Sequence, residues 1–296
     1  MSSSPDLDQD RNQDMGELAG LPGLDSVREQ LARWLAVVRA ERARHEAGTA
    51  VGRRAWKNMV FTGGRGAGKS RAARAVARIY RELGLLLFEN VPEVAAADLA
   101  GTTPRETGML VGEAVRRASG DVLMIAHAHA WCGLPDGGQQ VLRHLYQELS
   151  GSRNHVSDGL AVILAGQAGP LRGLLRAHPA LAARFPAVID FPRYTPGQLA
   201  AIFAHLAGEA GFTLTPAAAR KAAAVLAQAE GDHGSGNARL AIRLLDQATG
   251  SQARRVITAS QSPDPAALSS IRAADIPGHI HPHDPPADDE WPGQYL

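Results

Sequence analysis

The sequence contains little cysteine, little lysine and no long apolar run, and each shortage excludes a class of protein. Its 296 residues include one cysteine, Cys132, so a disulfide framework is excluded and a reducing compartment is expected. No apolar run approaches the roughly 18 residues that a membrane-spanning helix needs. The opening MSSSPDLDQD is polar and acidic, unlike a secretory signal. We therefore expect a cytoplasmic protein that does not enter a membrane.

Lysine is nearly absent from the basic residues, which are otherwise arginine. Lys57, Lys69 and Lys221 are the three lysines among 31 basic residues. Residues 1–19 and 262–296 are acidic, so the middle of the chain is positively charged. Solvent-exposed helix faces explain this charge, and a surface that binds the phosphate backbone of nucleic acid is the alternative. Since no nucleic-acid-reading motif accompanies the charge, nucleic acid is the less favoured partner.

Short apolar runs alternate with amphipathic segments in the first two thirds of the chain. This alternation predicts an α/β domain at 20–193 with a parallel sheet covered by helices on both faces. The predicted strands are 59–62, 85–91, 122–126, 161–165 and 188–191.

Only helical patterns follow Pro192. Thr195 and Gln198 flank a proline at the first helical position, which is typical of a helix start. A small all-helical lid domain is therefore expected at 194–258. Residues 1–19 are polar and acidic, and 259–296 are rich in Pro, Ser and Asp, so both ends are predicted to be disordered.

A glycine-rich turn after the first predicted strand matches the phosphate-binding pattern G-x-x-x-x-G-K-[ST]. The matching residues are Gly63, Gly64, Arg65, Gly66, Ala67, Gly68, Lys69 and Ser70. Glycines let successive backbone N–H groups turn toward a phosphate, and the helix that follows adds its positive end. Lys69 is expected to reach the β- and γ-phosphates of ATP, and Ser70 to ligate Mg²⁺. ATP and Mg²⁺ are thus the predicted cofactors.

Two acidic residues that ATP hydrolysis usually requires are missing from the strand 122–126. In such proteins an Asp-Glu pair ends this strand, where one acid helps to hold Mg²⁺ and the other polarises water. Here Ala126 and His127 occupy those positions, and Asp121 precedes the strand. Five residues of strand place Asp121 about 16 Å away, at the opposite end of the sheet. His127 is a candidate base, because histidine accepts protons near neutral pH.

With these motifs in their order and spacing, the chain resembles the AAA+ ATPases of the CbbX, SpoVK and EccA type. The resemblance rests on LPGLDSVREQL, NMVFTGGRGAGKS, HPALAARFPAVIDFPRYTPGQL and GNARLAIRLLDQA, and covers residues 20–258. It implies a nucleotide-binding domain followed by a helical lid, with ATP bound between them. It also implies ring-shaped oligomers that remodel protein partners in a chaperone-like way.

The resemblance assigns roles to further residues. Arg184 matches the arginine finger that reaches a neighbouring subunit's γ-phosphate, and Arg239 matches the phosphate sensor of the lid. Gly23 and Leu24 match the adenine-side contact. Gln167 is a candidate polar sensor after the fourth predicted strand.

One difference from the family lies in the segment that contacts the substrate polypeptide and not in the nucleotide site. The segment 99–104 has Thr103 near the position where the family often carries a substrate-gripping aromatic. Together with Ala126 and His127, this predicts an ATP-binding regulator or scaffold with weak or lost hydrolysis. Two alternatives stay open: an active remodelling ATPase, alone or in a mixed ring with a paralogous subunit, and a nucleic-acid-linked ATPase.

Overall fold

The computed structural model describes residues 18, 20–49, 57–150, 159–233, 237–259 and 264–281, without the side chains of 135 and 230–233. The chain forms two compact units. The first comprises Leu24–Gly63 and Gly68–Phe191, and the second comprises Leu21–Gly23, Gly64–Ala67 and the chain from Pro192 onward.

The first unit is built on a five-stranded parallel sheet with the order β2-β3-β4-β1-β5. Its strands are β1 (Met59–Thr62), β2 (Glu93–Ala95), β3 (Val122–Ala126), β4 (Ala161–Gly166) and β5 (Ala187–Asp190). Every residue of β1, β3 and β4 is buried, as expected when helices cover both faces of a parallel sheet. The α/β fold class is confirmed. Since β1 lies between β4 and β5, the strand order reverses beside it, where such sheets bind ligands at their carboxyl ends.

The described residues of the first unit form six α-helices. They are α1 (Asp25–Glu46), α2 (Lys69–Glu82), α3 (Pro104–Arg117), α4 (Pro135–Ser150), α5 (Ala168–Ala177) and α6 (Pro179–Ala182). A short 3₁₀ turn at Ala96–Leu99 follows β2 directly, and a second at Ala128–Gly133 begins after His127, which follows β3. None of the helices among the described residues is long and apolar enough to cross a membrane.

The second unit is helical, as predicted, except for one short strand pair that the prediction of an all-helical lid did not include. It contains α7 (Pro196–Glu209), α8 (Pro216–His233), α9 (Ala238–Ala259), α10 (Pro265–Leu268) and a parallel pair of two-residue strands, β6 (Thr213–Leu214) and β7 (Ser270–Ile271). The helix start predicted at Thr195 is present: its hydroxyl accepts from the Gln198 backbone N–H, and the Gln198 side chain accepts in return from the Thr195 N–H.

The prediction of a strand at 85–91 is wrong. The segment is a loop in which Leu87 and Phe88 are 71% and 52% exposed, and both backbone N–H groups donate to the carbonyl of Gly120. The strand begins later, at Glu93, is three residues long, and has one exposed and two half-buried residues. An apolar run therefore suggested a buried strand where tertiary contacts favour a turn.

The prediction of a disordered tail from 259 is wrong for residues 264–281. Ile271, Ile276 and Ile280 are buried, and β7 pairs with β6. Asp275 is also buried and accepts two hydrogen bonds from Arg255, at 2.7 and 2.8 Å. Three isoleucines spread among Pro, Ser and Asp have no helix or strand period, so the sequence pattern did not reveal them. Of the predicted disorder at 1–19 and 259–296, residues 1–17, 19, 260–263 and 282–296 lie outside the described residues, while Leu18 is described and buried.

Candidate nucleotide-binding site

The glycine-rich turn lies at the carboxyl end of β1, and α2 begins within it at Lys69. Gly66 and Gly68 have φ of 69° and 91°, a left-handed backbone that residues with a side chain rarely adopt. No side chain of the described residues caps the start of α2. The N–H groups at the start of a helix are suited to bind an anion.

Lys69 and Ser70 extend from the first turn of α2. The Lys69 ammonium donates to the carbonyl of Gly63 at 3.0 Å, so it lies back over the loop that it follows. The Ser70 hydroxyl donates to the carboxylate of Glu93, with 3.3 Å between Oγ and Oε2. The contact between Ser70 and Glu93 joins residues 23 positions apart, and sequence patterns had not indicated it.

The carboxyl end of β3 carries histidine where acids were expected. His127 follows the strand with φ 55°, is exposed, and lies with its ring centroid 5.9 Å from that of His129. Burial, and then the positive charges of His127 and Lys69, lower the pKa of His129. Its Nδ1 accepts from the backbone N–H of Gln167 at 3.3 Å. This end of the sheet thus presents imidazoles close to Lys69.

Asp121 lies before β3, as the sequence predicted. It is buried, and its carboxylate accepts from the backbone N–H and the side-chain amide of Asn90 at 2.9 and 3.3 Å. These bonds hold Asp121 at the amino end of the strand, so it does not replace an acid at position 126.

Four residues of the glycine-rich turn, Gly64–Ala67, belong to the second unit, where Asn237 holds them. Asn237 is 1% exposed and has φ 45°. Its amide Nδ2 donates to the carbonyl of Arg65 at 2.9 Å, and its Oδ1 accepts from the backbone N–H of Tyr194 at 3.3 Å. A Cβ on Gly64 would lie 2.9 Å from Asn237 Nδ2, so a side chain there would force the Asn237 amide to shift.

Tyr194 is a second residue that the sequence analysis missed. Its hydroxyl donates to the carbonyl of Ala67 at 3.3 Å, and its ring packs against Gly23, where an added Cβ would lie 2.8 Å from a ring carbon. Tyr194 and Asn237 both occur inside sequence blocks that supported the family resemblance, but nothing in the residue types indicated these contacts.

The remaining predicted site residues are carried by other elements. Arg239 is exposed in the first turn of α9, and Leu24 is buried immediately before α1. Arg184 follows α6 and stacks over the ring of Tyr146, 5.5 Å from its centroid. Their assigned roles stay predictions.

Thr103, near the position where the family often carries an aromatic, is a helix cap. Its hydroxyl accepts from the backbone N–H of Glu106 at 3.2 Å. Glu106 in turn accepts from the hydroxyl and backbone N–H of Thr102 at 2.6 and 2.8 Å, and these bonds lower the pKa of Glu106. The segment is therefore a hydrogen-bonded turn made of small residues.

Comparison with protein families identifies both units. The model for the ATPase family associated with various cellular activities (AAA) matches residues 59–193, and an AAA lid domain model matches 195–286. Protein CbbX of Cereibacter sphaeroides is 31% identical over 86% of this chain and 82% of its own length. The ESX-3 secretion system protein EccA3 of Mycobacterium tuberculosis is 36% identical over 63% of this chain. That match spans 29% of EccA3.

Solved structures show the same fold at low identity. The AAA domain of FIGL-1 in complex with ADP gives a TM-score of 0.56 at 17% identity, covering 87% of this chain and 80% of that one. A variant of Thermotoga maritima RuvB gives 0.53 at 18% identity, covering 87% and 68%. These similarities support the arrangement of strands and helices and nothing more specific.

Proposed function

Because this chain belongs to the AAA+ ATPases of the CbbX, SpoVK and EccA type, we propose that it binds ATP with Mg²⁺ and acts as a nucleotide-gated regulator or scaffold of protein partners, with weak hydrolysis. One observation carries the proposal: the phosphate loop at the end of β1 is complete, while the end of β3 has Ala126 and His127 in place of acids.

The loop fits a nucleotide phosphate in three respects. Gly66 and Gly68 adopt the backbone that turns N–H groups toward an anion. The start of α2 contributes its partial positive charge, and Lys69 adds a full one. Mg²⁺, when bound, neutralises part of the phosphate charge, and Ser70 is the residue of this loop that would ligate it. Arg239, Gly23 and Leu24 are further nucleotide contacts proposed from the family resemblance.

Hydrolysis needs a group that orients or deprotonates the attacking water. His127 is the candidate, since it occupies the position of the catalytic glutamate. His129 lies beside it, and burial is the main cause of the lowered pKa of His129. The Nδ1 of His129 already accepts a hydrogen bond, so its remaining ring nitrogen carries the proton when the ring is neutral. Loss of a general base typically costs about 10²–10⁴ in rate, which supports weak turnover.

The test of this proposal separates binding from turnover. We expect wild-type protein to bind ATP in the presence of Mg²⁺ and to show steady-state hydrolysis that is absent or only slightly above a Lys69→Ala control. Rapid hydrolysis that disappears in Lys69→Ala would contradict the regulator proposal and favour an active remodeller. The effect of nucleotide on assembly is measured as the molecular mass of the protein in solution with and without ATP. A ligand with different affinity for two assembly states shifts their populations.

A mixed ring is the second candidate, and Arg184 favours it. An arginine finger acts on the ATP of a neighbouring subunit, so it would stay useful even in a chain whose own active site is weak. Arg184 is half-buried against Tyr146, so its side chain is held by packing. Adding this protein to an active paralogous subunit should raise that subunit's ATP turnover, and Arg184→Ala should abolish the increase. An equal increase with Arg184→Ala would contradict the mixed ring.

A further inference from the structure

A carboxylate reaches the phosphate loop from a strand on which none was expected. Glu93 is the first residue of β2, which pairs with β3. Its Oε2 lies 3.3 Å from the hydroxyl oxygen of Ser70, the residue of the loop that ligates Mg²⁺ in P-loop proteins. The contact lies within the first unit, so one rigid sheet and its first crossover helix hold both partners.

The register of the two strands explains why the acid comes from this position. Ala95 pairs with Ala126, so the strand pair ends in two methyl side chains where an acid is usual. Glu93 pairs with Met124, two residues earlier, which is roughly 7 Å below the end of β3. The longer side chain of glutamate spans part of this distance and brings its carboxylate to Ser70.

We propose that Glu93 supplies, together with Ser70, the carboxylate that holds the Mg²⁺ of bound Mg·ATP, in place of the acid absent from position 126. This inference rests on the proposed ATP binding. Mg²⁺ in nucleotide sites is bound by oxygen ligands, commonly one or two carboxylates besides phosphates and waters. Glu93 acts either on the ion or on its bound water, and in both cases it contributes one negative charge beside it.

The charge of Glu93 has opposite consequences with and without the metal. A carboxylate near the start of α2 repels a metal-free triphosphate, because both are anions and compete for the same positive helix end. Once Mg²⁺ lies between them, the carboxylate attracts the ion. Glu93→Gln should therefore slightly strengthen ATP binding in EDTA and weaken the gain in affinity that Mg²⁺ provides.

The experiment is a titration of ATP by calorimetry, in EDTA and in saturating Mg²⁺, for wild type, Glu93→Gln and the control Glu82→Gln. Glu82 ends α2, so its variant removes the same charge far from Ser70. The dissociation constant in EDTA divided by the dissociation constant in Mg²⁺ measures how much the metal strengthens nucleotide binding. We expect Glu93→Gln to lower this ratio roughly 10- to 100-fold and Glu82→Gln to leave it unchanged.

A second measurement observes the metal directly. Mn²⁺ is titrated into the protein–ATP complex and followed by electron paramagnetic resonance, which reports free ion without any need for turnover. Glu93→Gln should release Mn²⁺ more readily, and Glu93→Gln combined with Ala126→Asp should regain it, since the acid returns from the usual strand. An unchanged Mg²⁺ effect and unchanged Mn²⁺ affinity in Glu93→Gln would overturn the assignment of Glu93 while leaving ATP binding intact. Wild-type protein that binds no ATP in either condition would overturn both proposals.

Discussion

The carboxyl ends of β1 and β3 lie on the same edge of one sheet, yet they differ in what they retain. The end of β1 has every residue of a phosphate loop, with Lys69 over the loop and glycine wherever a side chain would collide. The end of β3 has lost both acids and presents His127 and His129. The proposed function assigns nucleotide binding to the end of β1 and hydrolysis to the end of β3, so changes at one strand end would weaken hydrolysis while the other strand end keeps its binding residues.

Restoring the two acids at the end of β3 should have the largest effect, which is on ATP turnover. Ala126→Asp with His127→Glu is expected to raise ATP turnover about 10²–10⁴-fold, because it returns a metal-binding carboxylate and a group that polarises water. Steady-state phosphate release measures the effect, with ATP affinity checked in parallel because Ala126 is buried. Turnover that stays at the wild-type level would show that something other than these two acids limits hydrolysis.

Removing the lysine should affect the end of β1 alone. Lys69→Ala is expected to weaken ATP binding by about 2–3 kcal/mol, or roughly 30- to 150-fold in Kd, because a hydrogen bond to a charged phosphate is lost. Arg81→Ala is the matched control, since it removes a positive charge at the far end of α2 that pairs with Glu89. Equal losses of affinity in both variants would mean that overall charge, rather than the loop, attracts the nucleotide.

Asn237 tests how the loop is held in shape. Asn237→Ala should lower the free energy of unfolding by about 1–3 kcal/mol, since it leaves the Arg65 carbonyl and the Tyr194 N–H without this partner in a buried place. Chemical denaturation measures the loss.

Asn237→Gly separates the two causes of that loss. Glycine accepts the left-handed backbone at φ 45° and still removes the hydrogen bonds. If Asn237→Gly is as stable as wild type, the loss in Asn237→Ala would come from forcing alanine into a left-handed backbone and not from the lost hydrogen bonds.

The smallest expected effect concerns His129 and pH. The fold lowers the pKa of His129 below its ordinary value of 6.5, so the unfolded state binds a proton more readily. The contribution to stability is complete above pH 6.5 and is lost as the pH falls through the folded pKa. His129 is partly exposed, so we expect less than about 1 kcal/mol. The fall in stability between pH 7.5 and about pH 5.5 should be smaller in His129→Gln, and an identical fall in both proteins would contradict this prediction.

Local sequence patterns predicted much of the fold and part of the site. The phosphate loop, the absence of acids after β3 and the helix start at Thr195 are contiguous patterns, so the residues alone revealed them. The loop at 85–91 and the ordered segment 264–281 were missed for opposite reasons. Leu87 and Phe88 are apolar but exposed, while Ile271 and Ile276 are buried inside a segment that reads as polar.

The sequence by itself determined that the chain has a parallel α/β unit, a helical unit, a complete phosphate loop and no acid at 126 or 127. These properties depend on residue types within a few positions of one another, where periodicity and turn chemistry act. Only the tertiary structure decided that Glu93 meets Ser70, that Asn237 holds the carbonyl of Arg65, and that Asp121 is bound to Asn90. Each of these contacts joins residues brought together by strand order and helix packing, which a pattern along one segment does not encode.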